Sequence, residues 1–314
     1  MPSSAVRTFT DPDDYAAYIR NSTAEMTITG CGVFNAKLTR IDLHRLWMQR
    51  LSDNLPRIAH GADMRRPSIT FRTRPGPSLL WGGVEMRPTH IVRHAENESA
   101  FQHSSGLADW AAMSLPIEDM VSVGATIGDL DSTPPKNPML VAPSPAAMAR
   151  LLQLHAAAGD LAEKAPEIIA NPDAARGLEQ ALIEAMVGCL ARGESRENRP
   201  AQGQHAIVMR RFRRVVEENP EEPLYIPEIC KAIGVSSRTL QACCHEHLGM
   251  GPKHYLLLRR MQLVRRALRQ ATPGTKSVTE IATGYGFWQL GRFAVEYQSL
   301  YGESPSATLR GLSA

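Results

Sequence analysis

Ile226-Pro227-Glu228-Ile229-Cys230-Lys231-Ala232-Ile233-Gly234-Val235-Ser236-Ser237-Arg238-Thr239-Leu240, continuing to His247-Leu248-Gly249-Met250-Gly251-Pro252, is one copy of a pattern that returns later in the chain. The second copy runs Val278-Thr279-Glu280-Ile281-Ala282-Thr283-Gly284-Tyr285-Gly286-Phe287, then Arg292-Phe293 and Leu300-Tyr301-Gly302-Glu303-Ser304-Pro305. Ile229 matches Ile281 and Gly234 matches Gly286 at an offset of 52; Leu240 matches Phe293, Gly249 matches Gly302 and Pro252 matches Pro305 at 53. One inserted residue therefore separates two registers that otherwise hold. Each copy reads as a short helix, a turn containing Gly and a second helix, the helix-turn-helix plan. Gly234 and Gly286 stand where the chain leaves a helix sharply, a place suited to positive φ. Ser236 is placed to cap the helix that follows. One such motif is a weak signal, because any small helical domain joins helices through Gly turns; two matched copies are a strong one.

Between the copies lies Pro252–Arg269, 18 residues that read as a helix, roughly 27 Å long at about 1.5 Å per residue. A connector of that length can hold two recognition helices about one DNA turn apart, near 34 Å, once their own offsets are added. Its five arginines, Arg259, Arg260, Arg265, Arg266 and Arg269, face phosphates or solvent, and phosphate contact by at least one is the expectation.

Charge is segregated along the chain. Residues 1–199 carry 20 Lys and Arg against 23 Asp and Glu, a net of −3, whereas residues 200–314 carry 15 against 9, a net of +6. A basic module beside a slightly acidic one suits a nucleic-acid reader attached to a sensor, since phosphate neutralisation supplies most non-specific affinity. At 314 residues, 43% hydrophobic and 21% charged, the chain fits two ordinary globular domains and excludes wholesale disorder. Neither a membrane-length apolar run nor a signal-peptide pattern occurs, so a cytoplasmic protein is expected. Five cysteines (Cys31, Cys189, Cys230, Cys243, Cys244) without CxxC spacing support neither a disulfide framework nor a zinc site, and read as reduced, mostly buried thiols.

Upstream, residues 24–141 read as short β segments. Ser68–Arg72, Leu79–Trp81, His90–Val92 and Trp110–Leu115 are strand candidates, separated by turn signals at Arg74–Pro77, Gly82-Gly83 and Ser104–Gly106. Many short strands at this spacing favour a barrel or sandwich. Residues 144–192 read as helical: Ser144-Pro145 and Asn171-Pro172 are start signals, with Met148, Leu151, Leu152 and His155 on the first stripe and Leu178, Leu182, Ala185, Met186 and Cys189 on the second. Packing within the domain is expected for the first helix and a dimer seam for the second. The polar stretch 193–203 reads as a linker. The division is thus an effector and dimerisation domain over 1–192, a linker over 193–203 and a DNA-binding domain over 204–314, with helix-turn-helices at 226–249 and 278–302.

Residues from about His205 to Leu312 resemble the AraC/XylS family of bacterial transcription regulators. Most of the match lies in the second copy, in Ile281-Ala282, Gly286-Phe287, Phe293 and Gly302-Glu303-Ser304-Pro305. The resemblance implies an α+β chain: an N-terminal cupin-like β-barrel or sandwich with appended helices, then an all-α domain of two helix-turn-helices joined by a long helix. There are departures. Ala242 and Val295 stand where the family commonly has Arg, Cys244 replaces an aromatic, and Trp288 replaces a small polar residue. Base contacts therefore cannot be carried over from better-known members.

The outward residues of the two copies are read directly instead. Leu240, Cys244 and Leu248 form the inward stripe of the first recognition helix, leaving Ser236, Ser237, Arg238 and Gln241 as DNA-binding candidates. Leu290, Phe293 and Tyr297 point inward in the second, leaving Trp288, Gln289 and Arg292, with Thr279 added from the preceding helix. Arg can bond guanine bidentately, Gln can bond adenine, and Ser near a helix start suits a phosphate. The segment Arg65, Arg66, Arg72 and Arg74 is a candidate site for a small anionic effector. No His-x-His pair accompanies His90, His94, Glu96, Glu98 and His103, so no metal or other cofactor is expected. The function expected is a sequence-specific transcription regulator bound to an operator, dimeric, and in contact with RNA polymerase if it activates. The rival is a metal-dependent cupin-type enzyme with an autoregulatory DNA-binding module; no catalytic constellation supports enzymatic activity.

Overall fold

The computed structural model describes the chain except residues 21–22, 63–65, 67, 96–100, 129–134, 136–137, 192–193, 197–199, 220–221, 273 and 312–314. The first part runs β1 (Ser3–Phe9), α1 (Pro12–Tyr18), β2 (Thr23–Ile28), β3 (Ala36–Asp42), β4 (Trp47–Asp53), β5 (Arg57–Ala62), β6 (Ser68–Arg72), β7 (Leu79–Trp81), β8 (Val84–Glu85), β9 (Ile91–Arg93), β10 (Phe101–Ser104) and β11 (Ala108–Ser114). Then come α2 (Ile117–Gly128), β12 (Met139–Ala142), α3 (Pro145–Lys164), α4 (Pro166–Ala170), α5 (Pro172–Ala191) and β13 (Glu194–Arg196). The remainder is helical: α6 (Pro200–Glu218), α7 (Ile226–Ile233), α8 (Ser237–Leu248), α9 (Pro252–Gln270), α10 (Val278–Gly284), α11 (Leu290–Tyr301) and α12 (Pro305–Leu309).

The strands form two antiparallel sheets, ordered β1-β3-β4-β11-β6-β9-β12-β13 and β2-β5-β10-β7-β8. Alternation along each strand divides the core, because successive side chains leave opposite faces of a sheet. On β11, Trp110 and Ala112 join Leu38, Leu51, Met26, Ile28 and Leu79 in a core shared by the two sheets. Ala111 and Met113 join Ile69, Phe71 and Ile91 against α3 and α5 on the other side of the larger sheet. The smaller sheet turns its outer face to the helical region, where Ile58 and Phe101 pack with Phe212 and Tyr255.

Start signals in the sequence act as read. Ser144 accepts from the Ala147 amide ahead of α3, and Asn171 Oδ1 accepts from the amides of Asp173 and Ala174 at the start of α5. The dimer seam expected on α5 is corrected: Leu182, Ala185, Met186 and Cys189 are buried in the chain's own core, with Leu178 half-buried beside them. Strand structure begins at Ser3 rather than Ala24, and Glu194–Arg196, within the stretch read as a linker, pairs with β12. Cys189, Cys243 and Cys244 are buried thiols, and burial pushes Cys189 up to about 12, far from a reactive thiolate.

The helical region is fastened to the sheets at two places. On α1, Asp11 caps its own helix by accepting from the Asp13 and Asp14 amides, and its carboxylate also receives Arg265 and Arg269 from α9. Arg266 reaches Asp13 at 3.0 Å and Arg269 reaches Asp14 at 3.2 Å. Burial would raise the Asp11 carboxyl, but the Arg265 guanidinium, the Asp14 amide and Arg269 together outweigh it and hold the group below the usual carboxylate range. At the second place His60, 3% exposed on β5, lies 3.4 Å from Glu25 on β2 and 3.6 Å from Glu217 on α6. Arg213 is 3.3 Å from Glu217 and the Phe101 ring is 5.5 Å from His60.

Two outcomes follow from these contacts. Asp11→Asn keeps a good helix cap and removes the charge from a buried pair, so urea unfolding should show a loss of about 3 kcal/mol; a loss well below that would mark the pair as solvent-screened. Burial pulls the His60 pKa down, yet the carboxylates of Glu217 and Glu25 raise it above the ordinary 6.5. Its contribution is therefore complete below about 6.5 and lost as pH rises through the higher folded value. Glu25 and Glu217 are held below the ordinary 4.5, so theirs is lost only as pH falls through those lower values. Thermal melts should show stability declining from pH 6.5 to 8.5, with a smaller decline in His60→Gln.

Candidate nucleic-acid interface

Each helix-turn-helix copy is built from local signals. Gly234 ends α7 at φ 72°, where a side chain would be strained, and Ser236 then caps α8 by accepting from the Thr239 amide at 3.1 Å. In the second copy Ser277 and Glu280 form a reciprocal capping box at the start of α10, and Gly286 takes φ 81° before α11. Both recognition helices, α8 and α11, end on left-handed glycines, Gly249 and Gly302.

The connector α9 holds the copies at its two ends. Tyr255 and Leu256 share a core with Leu240, Cys244 and Leu248 of the first copy. Leu258, Met261, Val264 and Leu268 share one with Ile281, Phe293, Tyr297 and Leu300 of the second. From Tyr255 to Leu268 the helix advances about 20 Å at 1.5 Å per residue. The C-terminal end of each recognition helix abuts the β region: a Cβ on Gly249 would come 2.6 Å from the His103 ring, and one on Gly302 would come 3.4 Å from Val33.

The inward stripes are as expected, with Leu240, Cys244, Leu248, Phe293 and Tyr297 buried. Ser237, Arg238 and Gln241 are exposed on α8, as are Trp288, Gln289 and Arg292 at the start of α11. Ser236 is exposed too, but its hydroxyl is committed to the cap and to Thr239 Oγ1 at 2.8 Å. Thr279 is exposed on α10. Gln241 Nε2 meets His245 Nε2 at 2.9 Å, and Arg292 Nε donates to Glu296 at 2.7 Å. His245 and Glu296 were not singled out by sequence reading, and Ala242 and Val295 were named only as departures from the family pattern, not as outward-facing candidates. Their signal is the i, i+3/i+4 spacing from Gln241, Arg238 and Arg292, which places them on the same outward faces.

The phosphate contact expected of the α9 arginines is not what the structure shows. Arg265, Arg266 and Arg269 are held by α1, and Arg259 donates to the carbonyls of Val216, Asn219 and Glu222. Arg260 lies over the rings of Tyr225 and Phe287. Paired or stacked guanidiniums of this kind tie elements together, although the Arg269 side chain keeps 36% of its surface exposed.

The candidate effector arginines do not form one group. Arg65 lies outside the described residues, Arg66 donates to the Arg45 carbonyl at 2.7 Å, and Arg74 is exposed. Arg72 is 3% exposed; Nη1 donates to the Pro77 carbonyl at 2.8 Å, while Nε and Nη2 have no partner among the described residues. Burial pulls its guanidinium below the ordinary value. Of the histidines named with the enzyme alternative, His94 is buried against Thr70 at 2.9 Å and against Trp81, and His103 lies beside Gly249. Glu96 and Glu98 lie outside the described residues.

The family and sequence matches to known proteins cover about a third of the chain or less. A helix-turn-helix domain family matches residues 229–311. A probable thc operon regulatory protein of Rhodococcus erythropolis is 41% identical over 95 residues, which is 30% of this chain and 29% of that protein. A XylDLEGF operon transcriptional activator of Pseudomonas putida is 39% identical over 102 residues, 32% of each. Among solved structures, a probable AraC family transcriptional regulator from Rhodopseudomonas palustris CGA009 is 30% identical, with a TM-score of 0.30, over 34% of this chain and 98% of that one. The match therefore spans about a third of the length of the two curated relatives.

Proposed function

We propose that the chain is a sequence-specific DNA-binding transcription regulator of the AraC/XylS type, whose two motifs read successive major grooves; the helix-turn-helix match over residues 229–311 and the similarity of this region to a transcriptional activator support the reading. One observation carries the reading. Two recognition helices, fixed at opposite ends of α9, expose Ser237, Arg238 and Gln241 on one side and Trp288, Gln289 and Arg292 on the other, within a module of net charge +6. Residues 1–192 act as the effector and dimerisation domain, and residues 204–314 as the reader. The partners are an operator duplex, a second copy of the chain, RNA polymerase where the regulator activates, and a small anionic effector.

The effector part of the proposal narrows to Arg72. A buried guanidinium with two unpartnered nitrogens and no carboxylate at ion-pair distance among the described residues is costly unless an anion completes it. A carboxylate presents two oxygens in the geometry that Nε and Nη2 can serve together.

Two measurements test these readings. Arg292→Ala should cost about 1–3 kcal/mol on a selected operator and relax base preference at one position, through loss of a bidentate Arg to guanine; equal weakening on random DNA would make Arg292 a phosphate contact. Small carboxylates should raise the melting temperature of the full chain while the matching amides do not, about 2.7 kcal/mol being available at 100 times Kd. Arg72→Gln should abolish the difference, and equal effects of acids and amides would remove Arg72 from the effector site.

A further inference from the structure

Apart from Met1, the most exposed large apolar side chains among the described residues are Trp288 and Val295, at 80% and 71%. Single exposed apolar residues are ordinary, since more than half of a folded surface is apolar. Two on one recognition element are different, because that element already buries Phe293, Tyr297 and Leu300 on its opposite side and needs no second apolar face. Helix formation does not ask for Val295 either: at an exposed helical position a β-branched residue is inferior to Ala, Leu or Lys. Arg292 and Val295 are three residues apart on α11 and share a face, and Trp288 precedes the helix at the same end.

The repeat supplies a second observation. At an offset of 53, Val295 corresponds to Ala242 on α8, which is also exposed. Both copies therefore present hydrocarbon, without donor or acceptor, two residues beyond the buried anchor (Leu240 or Phe293). In each copy polar candidates flank it, Arg238 and Gln241 in the first and Gln289 and Arg292 in the second.

We infer that Val295 reads the 5-methyl group of a thymine in the major groove, with Ala242 making the corresponding, shorter contact in the first motif. The inference rests on the DNA-reading function proposed above. A base-pair edge in the major groove offers an apolar group only at the thymine methyl, and side-chain methyls are what contact it. A protein partner fits the patch less well: Arg292 interrupts the apolar strip, and the module around it is basic, as a polyanion requires.

The test is chemical. Full-length protein selects an operator from a random duplex pool, and each thymine is then replaced singly by deoxyuridine, which deletes the methyl and nothing else. One replacement in the half-site of the second motif should weaken wild-type binding about four-fold, the worth of one buried methylene. The same replacement should weaken Val295→Ala less than two-fold, and this variant substitutes an exposed side chain with a better helix former, so folding is retained. A selected operator in which every demethylation affects both proteins equally overturns the inference and leaves the regulator reading intact. Failure to enrich any sequence would end both.

Discussion

Burial of α9 on several sides at once is the constraint on which the helical region depends. Most helical stability in a protein comes from packing of an apolar face, and α9 persists because Tyr255 and Leu256 are covered by the first motif while Met261, Val264 and Leu268 are covered by the second. Its arginines complete the enclosure, three on the acids of α1 and one on carbonyls ahead of α7. The two reading helices have a fixed separation because both are packed on one rigid rod, and loop chemistry adds only the angles at which they leave it. Gly234, Gly249, Gly286 and Gly302 set those angles by adopting positive φ.

The smaller sheet stands between two cores. Its inner face closes on the larger sheet, while its outer face carries Ile58, His60, Phe101 and His103 towards the helices. A strand with both faces buried cannot show polar alternation, and β10 accordingly reads Phe-Gln-His-Ser with only His103 half-exposed. Arg57 pins the inner side, bonding Asp53 bidentately at 2.7 and 3.0 Å and Gln102 at 2.7 Å, so these three side chains link three strands.

The helix-turn-helices were legible because each depends on short-range rules: a left-handed Gly and an inward stripe at helical spacing, duplicated at a near-constant offset, with Ser caps at Ser236 on α8 and Ser277 on α10 that fall outside the repeat register. The same rules exposed α3 and α5 through Ser144-Pro145 and Asn171-Pro172. They could have exposed α1 as well, since Asp11-Pro12-Asp13-Asp14 is a cap, a helix-start Pro and an acidic first turn; only its seven-residue length hides it. Long-range pairing was not legible. An arginine in sequence shows a charge but not its counter-ion, and Arg265 finds Asp11 across 254 positions. The α5 stripe likewise announced that something covers it without saying what. The arginine run Arg65–Arg74 looked like one site because spacing along a strand is visible, whereas the pleat that sends Phe71 to the helices and Arg72 to the other face acts at every second residue.

The acid clasp on α9 bears on how such a chain can be inherited. A reading head that begins near residue 200 looks like a portable cassette, free to be joined to any sensor. Transplanted without α1, this one would carry three guanidinium groups stripped of their carboxylates, and Phe212 and Tyr255 would lose the Phe101 ring that covers them. A recombinant would have to bring its own acidic helix or replace those arginines in the same step. The β region and the helical region of this chain therefore travel as co-adapted halves, and a crossover that respects the apparent junction in the sequence still cuts through a shared interior.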